Sequence, residues 1–108
     1  ILVDGELRYS CTMSTKDVDG ARLTTVEGLA EGHAGDGPLS AVQAVLLDHN
    51  ASQCGYCLSG IAIAAHALFE RNPAPSREEI VAALDDQLCR CGAHPRVVTA
   101  LLELGGRG

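Results

Sequence analysis

The chain is organised around two short stretches, Cys54-Gly55-Tyr56-Cys57 and Cys89-Arg90-Cys91. Two residues separate the first pair of cysteines, one residue separates the second pair, and 31 residues lie between the pairs. Each stretch falls between segments of helical periodicity, so both are predicted to be inter-helix turns. If the helices alternate in direction, both turns lie at one end of a bundle, and the four thiols converge there as metal ligands.

Apolar spacing in the second part of the chain predicts four helices. The first spans about 38–50 and begins near a proline suited to a first turn, and the second spans about 57–71. A capping box of Ser76 and Glu79 starts the third, whose apolar stripe continues to Leu88. The fourth begins near Pro95. Its predicted core residues are Val98, Leu101 and Leu102. Four short helices with tight connections pack as a small bundle.

Strand signals are confined to the first part of the chain. Asp4-Gly5 between two β-prone runs predicts a tight hairpin, and 22–27 predicts another strand. So small a sheet is marginal alone, and residues 1–27 are interpreted as the remainder of a larger β domain. Residues 28–37 contain four glycines and little that could be buried, so they are interpreted as a linker. The predicted class is α+β, mainly α, with a helical domain over 38–108.

The composition excludes several classes of function. Eight basic and 14 acidic residues give a formal charge of −6, which is unsuited to binding a nucleic-acid backbone. A hydrophobic content of 46% is typical of a folded domain and excludes intrinsic disorder. No apolar run approaches the roughly 20 residues that a membrane-spanning helix needs.

The cysteine spacing by itself leaves three interpretations open. Two close pairs suit a binuclear iron–sulfur cluster, in which each iron binds two thiolates. Four cysteines equally suit a structural zinc ion, which would make the chain a protein-interaction module. Two disulfides are the third interpretation, and they would act as a redox sensor because neither would link distant parts of the chain.

An iron–sulfur cluster with four thiolates is negatively charged and needs compensation. The second and fourth helices begin just after a cysteine pair, so their positive amino ends would point toward such a cluster. Arg90, between two of the cysteines, and Arg96 would add positive charge. The glycines of this region would let backbone amides approach sulfur unobstructed. They are Gly55, Gly60 and Gly92.

The residues around both pairs carry a specific resemblance. They read Gln53-Cys54-Gly55-Tyr56-Cys57-Leu58-Ser59-Gly60 and Leu88-Cys89-Arg90-Cys91-Gly92-Ala93-His94-Pro95-Arg96. In this order they resemble the small [2Fe-2S] subunit of the molybdenum hydroxylase family, which includes xanthine dehydrogenase, aldehyde oxidoreductase, and isoquinoline and nicotinate oxidoreductases. The resemblance extends upstream through 24–29, and it favours the [2Fe-2S] interpretation over zinc. It implies that the cluster ligands are Cys54, Cys57, Cys89 and Cys91.

The same resemblance accounts for Cys11. In this family a plant-type ferredoxin-like domain precedes the helical domain, and Cys11 matches the fourth ligand of a second [2Fe-2S] cluster. The other three ligands would lie upstream of Ile1. The chain is therefore expected to be a fragment that lacks most of the ferredoxin-like domain.

The function implied by the resemblance is electron transfer within a multi-subunit oxidoreductase, without catalysis by this chain alone. The family's substrate chemistry takes place at a molybdopterin centre in a large subunit. Electrons would pass from that centre through [2Fe-2S] clusters to a flavin (FAD) subunit or a haem-containing cytochrome. The resemblance places Gln53 and Cys91 near the pterin, and Gly55, Gly92 and Arg90 around the cluster. A cytoplasmic location is expected, with a periplasmic or membrane-associated complex as the alternative.

Overall fold

The computed structural model describes residues 1–30 and 39–106. Within them, the strands are β1 (Leu2–Val3), β2 (Glu6–Leu7) and β3 (Leu23–Thr24), and the helices are α1 (Ala41–Asp48), α2 (Leu58–Arg71), α3 (Arg77–Ala83) and α4 (His94–Leu104). Short 3-10 helices at Ser10–Thr12, Thr15–Val18 and Val26–Gly28 complete the order. A small sheet followed by four helices confirms the predicted α+β, mainly α class.

The hairpin predicted at Asp4-Gly5 is confirmed. β1 pairs antiparallel with β2, with Leu2 opposite Leu7, and β3 pairs antiparallel with the other edge of β1. Asp4 and Gly5 have φ values of 51° and 85°. A two-residue hairpin turn of the primed type needs this left-handed conformation at both positions. Leu2 is buried in the same core as the helices, so the sheet packs directly on the bundle.

The predicted strand at 22–27 is shorter in the structure, because the chain enters a 3-10 helix at Val26–Gly28. That turn carries Leu29 into the core, where its side chain is 1% exposed. The expectation that residues 28–37 hold little to bury is therefore wrong at Leu29. Residues 31–38 of that predicted linker lie outside the described residues, so the domain boundary stays a prediction.

Two helices begin at capping boxes. In α3 the predicted box is confirmed, since the Glu79 amide donates to Ser76 Oγ at 3.3 Å and the Ser76 amide donates to Glu79 Oε1 at 3.0 Å. The sequence analysis missed the equivalent box of α1, in which Ser40 Oγ accepts from the Gln43 amide at 3.2 Å. Pro38, predicted to lie in the first turn of that helix, is outside the described residues.

The predicted apolar stripe of the third helix ends earlier than expected. α3 stops at Ala83 with Leu84 as its C-cap, and the Gln87 amide donates to the Leu84 carbonyl at 2.9 Å in the turn that follows. Leu88 therefore lies in a loop with 85% of its surface exposed. The prediction of Leu88 as a core residue is wrong, because the chain leaves the helix to carry Cys89 toward the end of the bundle.

The core is centred on α2. Its buried face is rich in alanine, including Ala64 and Ala65, and small side chains let neighbouring elements pack closely. α1 packs against α4, where His49 Nε2 lies 2.8 Å from Glu103 Oε2. Of the predicted α4 core residues, Val98 and Leu101 are buried and Leu102 is partly buried. No helix of residues 1–30 and 39–106 has both the length and the apolar character to cross a membrane.

Candidate metal centre

The two cysteine pairs lie where helices begin, at neighbouring corners of the bundle. Cys57 is the N-cap of α2, and Ala93, two residues after Cys91, is the N-cap of α4. The Gln53 side-chain amide joins the two corners by donating to the Cys91 carbonyl at 3.4 Å. The structure thus places both predicted turns at the same end of the bundle. We call these residues, 53–57 and 89–93, the cysteine corner.

Cys57 and Cys89 differ in acidity because their surroundings differ. Burial raises the pKa of the Cys57 thiol, and interaction with the Cys89 side chain and the charge of Cys54 raise it further. The Ala93 amide lowers the pKa of Cys89, and interaction with the Cys57 side chain lowers it further. The thiolate form is therefore more favoured at Cys89 than at Cys57.

Backbone amides surround the Cys89 sulfur. The Ala93 N–H donates to Cys89 Sγ at 3.3 Å and is the largest cause lowering the pKa of Cys89, with further amide contributions from Cys91 and Gly92. On the other corner the Tyr56 N–H lies 3.5 Å from Cys54 Sγ. Amides donating to sulfur are the contacts that stabilise thiolates and tune the potential of iron–sulfur centres.

Gly55 and Gly92 are in the left-handed backbone conformation. Their φ values are 83° and 72°, and within the described chain nothing lies within 4 Å of the position of a Cβ at either residue. The backbone conformation alone therefore favours glycine at both positions, and their predicted role beside a cluster stays a prediction. At Gly60 a Cβ would meet the end of the Gln87 side chain rather than sulfur.

The four thiols are neighbours but do not surround a single point. In the part of the chain that the structure describes, no three His, Cys, Asp or Glu side chains are arranged to hold one metal ion. The structure brings the two cysteine corners together, as predicted. It does not arrange the four sulfur atoms of these corners around one metal position. All five cysteines are free thiols, so the disulfide interpretation finds no support in the structure. The donor set of thiols and sulfur-directed amides fits a [2Fe-2S] group.

The remaining predicted site residues lie around the corner or apart from it. Arg90 and Gln53 are exposed at the corner itself. Arg96 is exposed in the first turn of α4, and its guanidinium donates to the Asn50 carbonyl at 3.4 Å. Cys11 is exposed and lines a cavity of about 300 Å³ against the start of α2. It lies on a separate segment from the four corner cysteines.

Two side chains that the sequence analysis did not select also belong to this region. Gln87 Nε2 donates to the Tyr9 hydroxyl at 3.1 Å, which links the loop before Cys89 to the segment before Cys11. The only sequence signal was the position of each, two residues before a cysteine.

Comparison with known proteins identifies the family. Residues 25–102 match the family described as the [2Fe-2S] binding domain. The chain belongs to this family. The match includes both cysteine pairs, α1 to α3, and α4 except its last two residues.

Individual relatives of this [2Fe-2S] binding domain agree. The chain is 39% identical over 107 residues to the nicotine 6-hydroxylase small subunit of Paenarthrobacter nicotinovorans, covering 99% of this chain and 62% of the relative. It is 36% identical over 101 residues to the nicotinate dehydrogenase small FeS subunit of Eubacterium barkeri, covering 94% of this chain and 62% of the relative. The chain thus spans about three fifths of the length of these curated relatives.

Solved structures show the same likeness. Quinoline 2-oxidoreductase from Pseudomonas putida 86 superposes with a TM-score of 0.82 at 34% identity, covering 100% of this chain and 67% of that chain. Aldehyde oxidoreductase from Desulfovibrio gigas gives 0.83 at 30% identity, covering 97% and 12%. These matches confirm the predicted resemblance to the small iron–sulfur subunits of molybdenum hydroxylases, and the relatives are subunits of oxidoreductases.

Proposed function

We propose that this chain is the electron-transfer part of a molybdenum hydroxylase, with a [2Fe-2S] cluster bound by Cys54, Cys57, Cys89 and Cys91. The observation that carries the proposal is the contact between the two corners, where the Gln53 side-chain amide donates to the Cys91 carbonyl at 3.4 Å. The family match favours this cluster over the zinc alternative, because the family is defined by [2Fe-2S] binding.

The protein's own groups prepare the site for thiolate ligands. The Ala93 amide favours the deprotonated form of Cys89, which is the form that binds metal. The N-termini of α2 and α4 lie at the corner, and their dipoles offset negative charge there. When bound, a [2Fe-2S] cluster supplies a carrier for one electron at a time. The chain's part is to hold it, tune it and exclude competing ligands.

The surface of the corner is suited to a protein partner. Tyr56, between Cys54 and Cys57, is 93% exposed, and Leu88 beside Cys89 is 85% exposed. These are the two most exposed large hydrophobic side chains of the described residues. Exposed aromatic and apolar anchors of this kind are typical of protein interfaces. We propose that they face the molybdopterin-binding large subunit, with Gln53 and Cys91 directed toward the pterin.

Onward transfer is proposed on the side of the N-terminal segment. Cys11 would be the fourth ligand of a second [2Fe-2S] cluster, because the other four cysteines of these 108 residues are assigned to the corner. Electrons would then leave toward an FAD subunit or a haem-containing cytochrome, and the complex would be cytoplasmic.

Metal analysis of the purified full chain tests the proposal. About two irons and two acid-labile sulfides per chain at the corner, with a brown colour and an electron paramagnetic resonance signal on reduction, are expected. One zinc per chain with no sulfide would refute the proposal and leave a structural zinc module. A chain without metal whose free-thiol count changes with reductant would refute it in favour of a redox sensor.

A further inference from the structure

One polar side chain, Gln87, links the corner to the N-terminal segment. Gln87 precedes Cys89 by two residues, and its Nε2 donates to the Tyr9 hydroxyl at 3.1 Å. Tyr9 precedes Cys11 by two residues, and its hydroxyl donates to Asp86 Oδ2 at 3.4 Å. Residues 78 positions apart in the sequence are therefore joined next to a cysteine on each side.

The same side chain also lies across the first turn of α2. A Cβ at Gly60 would collide with Gln87 Oε1, so the glycine leaves the space that the glutamine amide occupies. Glycine is unfavourable inside a helix, and at this position the close approach of Gln87 gives a reason for it. Gly60 follows Cys57 by three residues. Gln87 thus contacts each of the three segments that carry predicted cluster cysteines.

The stretch around Cys11 is exposed. The 3-10 helix Ser10–Thr12 has no buried residue, and a cavity of about 300 Å³ lies between this stretch and the start of α2. Tyr9 itself is 41% exposed, whereas Leu7 before it packs against the core. The hydrogen bonds of the Tyr9 hydroxyl therefore add side-chain contacts between this exposed stretch and the helical bundle.

We propose that Gln87 is a positioning residue that holds the three cysteine-bearing segments, 9–11, 57–60 and 87–91, at fixed separations. This inference rests on the proposed function, in which Cys11 and the corner cysteines serve successive electron carriers. Electron transfer slows steeply as the distance between carriers grows. A clamp between the segments therefore keeps that distance constant.

Hydrogen exchange of the full chain, read by mass spectrometry, tests the clamp. The reporters are the amides of Thr12 and Met13, which donate to the Tyr9 and Ser10 carbonyls at 3.1 and 3.3 Å. Gln87→Leu should accelerate their exchange about fivefold, the factor expected for losing one ordinary hydrogen bond, and Tyr9→Phe, which also removes the hydrogen bond to Asp86, should accelerate it at least as much. Tyr56→Phe removes the same hydroxyl from an exposed ring and should leave the reporters unchanged.

A double variant separates positioning from general loosening. Tyr9→Phe with Gln87→Leu should exchange no faster at the reporters than Tyr9→Phe alone, because the contact that Gln87→Leu removes is already lost in that variant. Additive acceleration, or unchanged exchange in Tyr9→Phe, would overturn the proposal. Gly60→Ala provides a further check, since its methyl group should displace the Gln87 amide and accelerate the same reporters. Exchange is measured with or without metal, so absence of iron would refute the proposed function while leaving this test intact.

Discussion

At the scale of single residues, the sulfur of Cys89 accepts from the Ala93 amide at 3.3 Å, and this amide is the largest cause lowering the pKa of Cys89. We predict that Cys89→Ser loses the iron and sulfide of the corner and lowers the melting temperature, because metal binding and folding are coupled. Cys11→Ser is the control and should keep the corner cluster. A Cys89→Ser chain with the visible spectrum of the unchanged protein would contradict the ligand assignment.

The two contacting thiols should also differ in reactivity. The pKa of Cys89 is lowered by the Ala93 amide, and that of Cys57 is raised by burial. In metal-free chain, Cys89 should therefore be alkylated at a lower pH than Cys57, because the thiolate is the reactive form. Peptide mapping after brief iodoacetamide treatment, at pH values from about 6 to 9 on either side of thiol titration, measures the order. The reverse order would show that the amides do not act on Cys89.

Arg90 tests the charge of the corner. Removing its positive charge in Arg90→Ala should lower the reduction potential of the bound cluster, since the reduced form is more negative. The shift should be roughly tens of millivolts, because a unit charge at an exposed site is worth about 1 kcal/mol at contact distance. Arg90→Lys keeps the charge and should change the potential less. A midpoint potential that stays level or rises in Arg90→Ala contradicts this role.

At the scale of elements, Leu29 decides how firmly the N-terminal segment packs on the helices. Its side chain is 1% exposed in the common core, so Leu29→Ala should lower the free energy of unfolding by about 2–5 kcal/mol. Leu23→Ala is the matched control, because that leucine is 48% exposed on β3 and its loss should cost about 0.5 kcal/mol or less. Urea unfolding measures both. Equal losses would mean that the burial of Leu29 does not hold the segment in place.

Local signals predicted the elements that depend on local chemistry. Asp4-Gly5 identified the hairpin and Ser76 with Glu79 identified the start of α3, because turn conformation and capping involve neighbours in sequence. Leu29 and Leu88 were predicted wrongly, because their burial depends on where the chain turns in space. A 3-10 turn carries Leu29 inward, and the end of α3 at Ala83 leaves Leu88 outside.

At the scale of the whole molecule, the exposed side chains of the corner should carry association with the partner subunit. Tyr56→Ala and Leu88→Ala should each weaken that association about tenfold or more, the loss typical of an interface anchor. Stability of the isolated chain should be unaffected, because both side chains are exposed. Leu23→Ala, a similarly apolar change on β3, is the control. Titration of the chain onto the proposed molybdopterin-binding large subunit measures the association. Undiminished binding of both variants would contradict the proposed docking face.

The place of the cysteine pairs was predictable, and their surroundings were less so. Cysteine spacing and helix periodicity placed both pairs at one end of the bundle, as the contact of Gln53 with Cys91 confirms, while the assignment of the four thiols as ligands stays a prediction. The contact of Gln87 with Tyr9 was not predictable, because no periodicity or motif relates residues so far apart in sequence. The amide of Ala93 was likewise hidden, since any residue supplies a backbone N–H and only the turn at Gly92 directs it.

The donors around Cys89 have a consequence for how this protein can diverge. The group that donates to the sulfur is the main-chain N–H of Ala93, the nearby amides of Cys91 and Gly92 also lower the pKa of Cys89, and no side-chain exchange except one to proline deletes a main-chain N–H. The conformation of the loop therefore sets the polarity around the sulfur. Side chains such as Arg90 and His94 can be substituted without removing these backbone groups. Gly92 is the exception, because its φ of 72° ties the amide directions to a single amino-acid type. Substitutions of the surrounding side chains can therefore change the polarity around the Cys89 sulfur gradually, whereas substitution of Gly92 changes it in a single step.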